Sequence, residues 1–192
     1  MSTRFVKKII ISVLLIACIV FLGIRYTLIN NQYPNPSIKI VKKGNEVNIG
    51  DFSYTLVTYK WYNGNLINSI NPNYVLLYDV DGNKYSLEDT KVILAVVEVK
   101  NNSAYSQNFD VTNFSFEIGA WHNQWDLELY NVFNNSNKLS INMNSGDSQL
   151  ITLPIVMNKF QFKESKWETL EQQYVDIVIT YYPEKWVLRI ED

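Results

Sequence analysis

Apolar and polar positions along this chain follow two different rules. Over residues 9–24 apolar side chains succeed one another without a charge, whereas beyond Asn30 they come in short stretches divided by turn residues. The first rule predicts a helix in lipid, because a rise of 1.5 Å per residue makes a hydrocarbon core of about 30 Å take about 20 apolar residues. Extending the run to Ile29 supplies that length with Arg25 as its one charge, near the far end where its stem reaches the headgroups, and Tyr26 suits the same depth. The second rule predicts strands over residues 52–62, 74–80, 83–87, 91–100, 114–118, 121–129, 149–157, 174–181 and 186–190, all rich in β-branched and aromatic residues. Asp81-Gly82 predicts a hairpin turn. Residues 91–100 are apolar on both faces in their first half, as a strand covered on both sides requires. Pro154 marks an edge strand or a bulge. Ser165-Lys166-Trp167-Glu168 has capping-box form and predicts one short helix running to about Gln172.

Roughly eight strands with turn signals about every ten residues predict two packed sheets rather than βαβ units. The fold expected is all-β: an immunoglobulin-like antiparallel β-sandwich with one short helix, behind a single N-terminal transmembrane helix. The division is residues 1–29 for tail and anchor, 30–45 for a tether stiffened by Pro34 and Pro36, and 46–192 for the sandwich. Its inner faces are expected to hold Leu56, Val92, Leu94, Val96, Phe114, Phe116, Leu153, Ile155, Val175, Ile177 and Ile179.

Charge sets the orientation. Arg4, Lys7 and Lys8 precede the apolar run without an acid, which keeps the N-terminus inside and translocates the chain beyond Asn30. The expected address is therefore the plasma membrane, single-pass, with the C-terminal domain extracytoplasmic. A second reading stays open: Leu15-Ile16-Ala17-Cys18 matches a lipobox, which would make residues 1–17 a signal and Cys18 a lipidated N-terminus. Against it, Ile19-Val20-Phe21-Leu22 continues into apolar sequence where a lipoprotein turns polar. Cys18 is the chain's single cysteine, so the outer domain has no internal disulfide; with abundant Asn and Lys this leans towards a Gram-positive bacterium. Without Arg4, Lys7, Lys8 and Arg25, 13 of the 17 basic residues face 19 acidic ones, and a domain of that sign is a poor binder of phosphate backbones. Nucleic acid is excluded as a partner.

Candidate chemistry is sparse. Asp79-Val80-Asp81-Gly82-Asn83 fails as a calcium loop, since glycine falls at the fourth place and Thr90 at the twelfth. His122 is the one histidine, too few for zinc, and no G-x-S-x-G elbow accompanies it. On an extended segment Asp126 and Glu128 share a face, a pairing glycosidases use. Trp121, Asn123 and Trp125 share a face likewise and form a possible ligand platform for sugar rings; the alternative is that both indoles fill the core. Asn101-Asn102-Ser103, Asn113-Phe114-Ser115 and Asn134-Asn135-Ser136 match glycosylation sequons, which matter only in a eukaryotic secretory pathway. No cofactor motif is present.

Asn48-Ile49-Gly50-Asp51-Phe52-Ser53-Tyr54-Thr55-Leu56, the strand Val92 to Lys100 ending in Asn101-Asn102-Ser103, Gln107 to Phe114, and Asn144-Ser145-Gly146-Asp147-Ser148 before an apolar strand occur in that order. In this the chain resembles the telokin-like, immunoglobulin-like extracellular domains of unknown function found in surface proteins and lipoproteins of Gram-positive bacteria. The resemblance implies a sandwich behind a lipoprotein signal or single anchor, and no catalytic residues. Together these readings predict a non-catalytic binding module at the bacterial surface, not an enzyme, with an unknown protein or a cell-wall glycan as partner. The alternatives are an envelope immunity protein against a secreted toxin, a wall-glycan hydrolase using Asp126 and Glu128, and a subunit of a membrane complex.

Overall fold

The computed structural model describes residues 3–70 and 86–191, with side chains of the first helix from Ile10 onward. Two compact units divide at Ser37. The first is one helix, α1 (Thr3–Gln32), 30 residues long. Within it Ile10–Gln32 is long and apolar enough to cross a bilayer, and its side chains, Cys18 included, lie exposed along the whole stretch.

The second unit carries eleven strands among the described residues. In chain order they and the short helices are β1 (Ser37–Lys42), β2 (Glu46–Ile49), β3 (Phe52–Asn63), α2 (Asn65–Ile70), β4 (Thr90–Asn101), β5 (Gln107–Asp110), β6 (Ser115–Ile118), β7 (Trp121–Asn123), α3 (Leu127–Asn134), β8 (Ser140–Met143), β9 (Ser148–Asn158), α4 (Glu164–Glu168), β10 (Val175–Thr180) and β11 (Glu184–Ile190). Three sheets result: β1-β11-β10-β6-β7, β2-β3-β4-β9, and the small pair β5-β8. The first two face each other across one core. Leu56 of β3, Ile93, Ala95, Val97 and Val99 of β4, and Leu153 and Ile155 of β9 meet Phe116 of β6, Val175, Ile177 and Ile179 of β10 and Leu188 of β11.

The register explains that core. Leu56 pairs with Val97, which pairs with Ile151, and Leu153 pairs with Ala95. Side chains alternate along a strand, so this parity sends Val92, Leu94 and Val96 to the opposite face. Those three were expected inside. Instead Val92 is buried with Ile67 of α2 and Leu129 of α3 in a second cluster that Leu94 edges, and Val96 is half-buried. The double apolar character of β4 thus reflects two coverings, the other sheet within and α2 with α3 without.

Helix content exceeds the single expected helix. Residues 121–129 are not one extended segment: β7 ends at Asn123 and α3 begins at Leu127. The Asp126 carboxylate accepts from Leu129 N–H at 2.9 Å, and Trp125 just before the cap lies 4.5 Å from Tyr130, ring to ring. A capping carboxylate flanked by such a hydrophobic staple fixes a helix start more firmly than the local strand propensity of Trp and Tyr opposes it. Asn135, at φ 48°, ends the helix in the left-handed conformation. The helix at 164–168 starts from Lys163, with Ser165 inside it rather than capping it. β1 occupies part of the expected tether. The expected hairpin over 74–87, with Asp81-Gly82, and the Asp79–Asn83 loop lie largely or wholly outside the described residues.

β9 is an edge among the described residues, as Pro154 suggested: within them it pairs with β4 alone. Its outer side is met by α3. Asp126 N–H donates to the Pro154 carbonyl at 2.8 Å, and the Asn134 amide both donates to the Thr152 carbonyl (2.8 Å) and accepts from its N–H (2.9 Å).

Candidate binding surface

Pairings within the four-stranded sheet place three turns at one end, and a shared groove lining brings the β10–β11 turn beside them. Phe52 opposes Asn101, Lys100 opposes Ser148, Ile49 opposes Phe52, and Thr180 opposes Trp186. The β2–β3 turn, the β4–β5 loop, the β8–β9 turn and the β10–β11 turn therefore gather together. Gly50 and Gly146 take φ of +60° and +81° there, which a side chain would resist.

Asn101 holds these loops. It is fully buried, and its amide nitrogen donates to the carbonyls of Tyr105 (2.7 Å), Met143 (3.0 Å) and Asn144 (3.1 Å). Its side-chain oxygen accepts from the Ser103 N–H and hydroxyl. Its backbone N–H donates to Asp147 O, Gly146 N–H donates to its carbonyl, and Asn102 N–H reaches Asp51 O. Both loops are thereby tied to a β-strand end, with the side chains of Asn102, Ser106 and Asn144 outside. Tyr105 is 76% exposed. Beneath the knot Phe52 meets Phe109 and Tyr54 meets Phe114 edge to face, with Phe109 tilted against Phe114. Burial pushes the Tyr54 phenol up to about 12.

A groove of about 350 Å³ opens between the β2–β3 turn and the β10–β11 turn, lined by Asn48, Ile49, Gly50, Thr180, Tyr182, Pro183, Glu184 and Trp186. Beside it, on the outer face of the five-stranded sheet, the Ser115 hydroxyl is hydrogen-bonded to the Tyr181 hydroxyl, which also meets His122 Nε2 at 3.0 Å. The phenol stands between serine and imidazole, so Ser115 has no imidazole base against it. Lys185 pairs with Glu117 and lies over the Tyr181 ring. Asp176 takes Arg189 in two bonds of 2.7 and 2.9 Å, while Arg189 stacks on Tyr174 at 4.0 Å. The hydrogen bond to Asp176 raises the guanidinium's pKa further. Val178 and Val187 are fully buried on this outward-facing parity.

The residues singled out from sequence are dispersed. Trp125 is buried, its indole N–H donating to Val111 O at 3.2 Å. Trp121 is half-buried and packs 5.3 Å from Phe162 at the far end, and Asn123 is half-buried on β7. The two indoles thus serve different packing sites and form no shared platform. Asp126 caps α3 and Glu128 sits in its first exposed turn, so the strand pairing expected of the two carboxylates does not exist. His122 is exposed on β7, and Cys18 lies within α1. Among the described residues no three His, Cys, Asp or Glu gather as a metal site. Of the features at this surface, the sequence signals only the end of β4, through Asn101-Asn102-Ser103; the Asn101 knot and the groove arise from contacts between distant segments.

Fold and surface define an all-β, two-sheet sandwich domain with a loop-borne surface. The model described as "Domain of unknown function (DUF5028)" matches residues 67–186, and the chain belongs to that family. No curated protein matches it in sequence. Similar solved structures include a candidate lipoprotein from Bacillus subtilis (13% identity, 76% of this chain and 38% of that one, TM-score 0.45). Others are an uncharacterised β-sandwich protein from Clostridium difficile (11%, 81% and 96%, 0.43) and a functionally unknown protein from Listeria monocytogenes (14%, 78% and 82%, 0.47). The chain spans 38% of the length of the Bacillus protein.

Proposed function

We propose that this chain is a non-catalytic binding module held on the outer face of the plasma membrane by α1, with its N-terminus inside. The immunoglobulin-like, telokin-like reading draws support from connectivity. β4 and β9 are neighbours in one sheet, β6, β10 and β11 in the other, and the chain crosses between sheets after β1, after β4, after β7 and after β9. That is the Greek-key course of such sandwiches. Single-pass anchoring is supported by the apolar length of α1 and by Arg4, Lys7 and Lys8 before it. The helix runs on for several turns beyond Cys18, which favours an uncleaved anchor over lipidation.

The observation that carries the binding reading is the Asn101 knot. It rigidifies loops rich in Asn, Ser, Gly and exposed Tyr, the composition that recognition loops on sandwiches use, and ordering them beforehand lowers the entropic cost of binding. The partner is a protein or a cell-wall glycan, with neither cofactor nor nucleic acid involved.

Photo-crosslinking residues placed at Asn102 and Tyr182, against one at Lys163 at the far end, test this in intact cells. A partner captured from the first two positions alone is expected; capture from Lys163 alone, or capture from none together with no saturable ligand in solution, overturns the reading. Protease added to whole cells should digest residues 38–192, and their survival until lysis would reverse the orientation. Intact mass decides between a retained N-terminus and a diacylglyceryl-Cys18.

A further inference from the structure

We infer that the groove between the β2–β3 and β10–β11 turns is a binding site for a neutral pyranose glycan. This rests on the binding-module reading and gives it a ligand class. The groove joins two elements from different sheets, so its walls are held by both halves of the sandwich rather than by one mobile loop. Its volume of about 350 Å³ lies at the small end of ligand clefts, enough for a short stretch of polymer.

Its lining matches sugar chemistry in kind. Trp186 is half-buried, with part of its indole packed on the core and the remainder on the groove. Tyr182, 52% exposed, lines the same groove. Aromatic rings of this sort combine an apolar face for the C–H side of a pyranose with a polar tip for its hydroxyls. Around them stand an amide, a hydroxyl and a carboxylate. The Asn48 side-chain oxygen accepts from the Asn102 amide at 2.8 Å, which fixes the orientation of Asn48 and offers its NH2 as a donor. The Thr180 hydroxyl donates to the Glu184 carbonyl at 2.7 Å, which leaves its oxygen as an acceptor. The Glu184 carboxylate is paired with Lys39 at 3.5 Å.

The same lining argues against other ligands. Among the described residues its lining contains no lysine or arginine, the nearby Lys39 is engaged by Glu184, and the outer domain is acidic, all of which disfavour a polyanion. An extended peptide would need a row of backbone donors and acceptors. The groove instead presents the Gly50 bend and Pro183, which has no N–H.

The test uses the full chain in detergent micelles, titrated with N-acetylglucosamine tetramer and with maltotetraose, and read by calorimetry and by tryptophan emission. Saturable binding of at least one tetramer is expected. Tyr182→Ala and Asn48→Ala should each weaken it at least tenfold with unchanged thermal unfolding. Tyr105→Ala, at the same end but outside the groove, should leave it intact. Absence of saturable binding at millimolar sugar, or binding that both groove variants retain, overturns the assignment. A protein crosslinked at Asn102 or Tyr182 while both sugars fail would remove the glycan and leave the module reading standing; failure of both would remove the two together.

Discussion

The two ends of the sandwich are closed by opposite means. At the far end the chain after β9 folds over the sheets, and Trp121, Phe162 and Trp167 stack in series with centroid spacings of 5.3 and 6.0 Å. Trp167 and Leu170 are buried there, and Lys91 lies over the Trp167 ring while pairing with Glu171 at 2.9 Å. At the loop end the outermost closure is polar, with one buried asparagine in place of the ring stack. An apolar plug is non-directional and removes surface from water, which suits an end that must only stay shut. A hydrogen-bonded knot spends little apolar area, leaves side chains outside, and fixes loop geometry, which suits an end that must recognise something.

This contrast can be broken from either side. Trp167→Ala should cost the most, about 3–5 kcal/mol, because it leaves a cavity beneath a buried indole. Thermal unfolding measures it, and the loop end's hydrogen exchange should change only through global opening. Asn101→Ala should cost about 2–4 kcal/mol, since three carbonyls lose their shared donor. Here the signature is local: amides of residues 103–106 and 144–147 should exchange faster than the rest, and uniform exchange would deny Asn101 its role. Alkali should loosen the same end. The folded Tyr54 phenol titrates at about 12 against an ordinary value of 10, so its contribution is complete below pH 10 and is lost as pH rises through 12. Stability should fall by about 2–3 kcal/mol across that window, with Tyr54→Phe removing this component of the slope. The smallest effect probes the far end. A Cβ on Gly64 would stand 2.3 Å from the Leu87 carbonyl oxygen, so Gly64→Ala should cost about 1–3 kcal/mol, measured by denaturant midpoint.

Much of the sandwich was legible because long alternating strands advertise themselves. β3, β4, β9, β10 and β11 sit close to where Tyr, Thr, Val and Ile patterns put them. What escaped was short or polar. Among the described residues β5 and β8 pair only with each other, and they carry Asn108 and Asn142, whose amides bond across the pair. β1 follows Pro34 and Pro36 and reads as linker until β11 accepts it. The parity of β4 could not be chosen from its own sequence, since both faces are apolar and only α2 and α3 tell them apart. α3 hid behind strand-forming residues, although Trp125-Asp126 with Tyr130 held its start signal. The groove was beyond reach because Asn48 and Tyr182 come from opposite ends of the domain's sequence and meet only through the packing of two sheets. Candidate platforms therefore landed on Trp121 and Trp125, which the fold uses as filling.

The Asn134 amide occupies, on the outer rim of β9, the positions that a neighbouring strand's peptide group would take. An unguarded rim of eleven residues would let identical chains zip together wherever they are crowded. With α3 in place, dense arrays of this domain can stay individual molecules, and any assembly they enter has to be built through other surfaces.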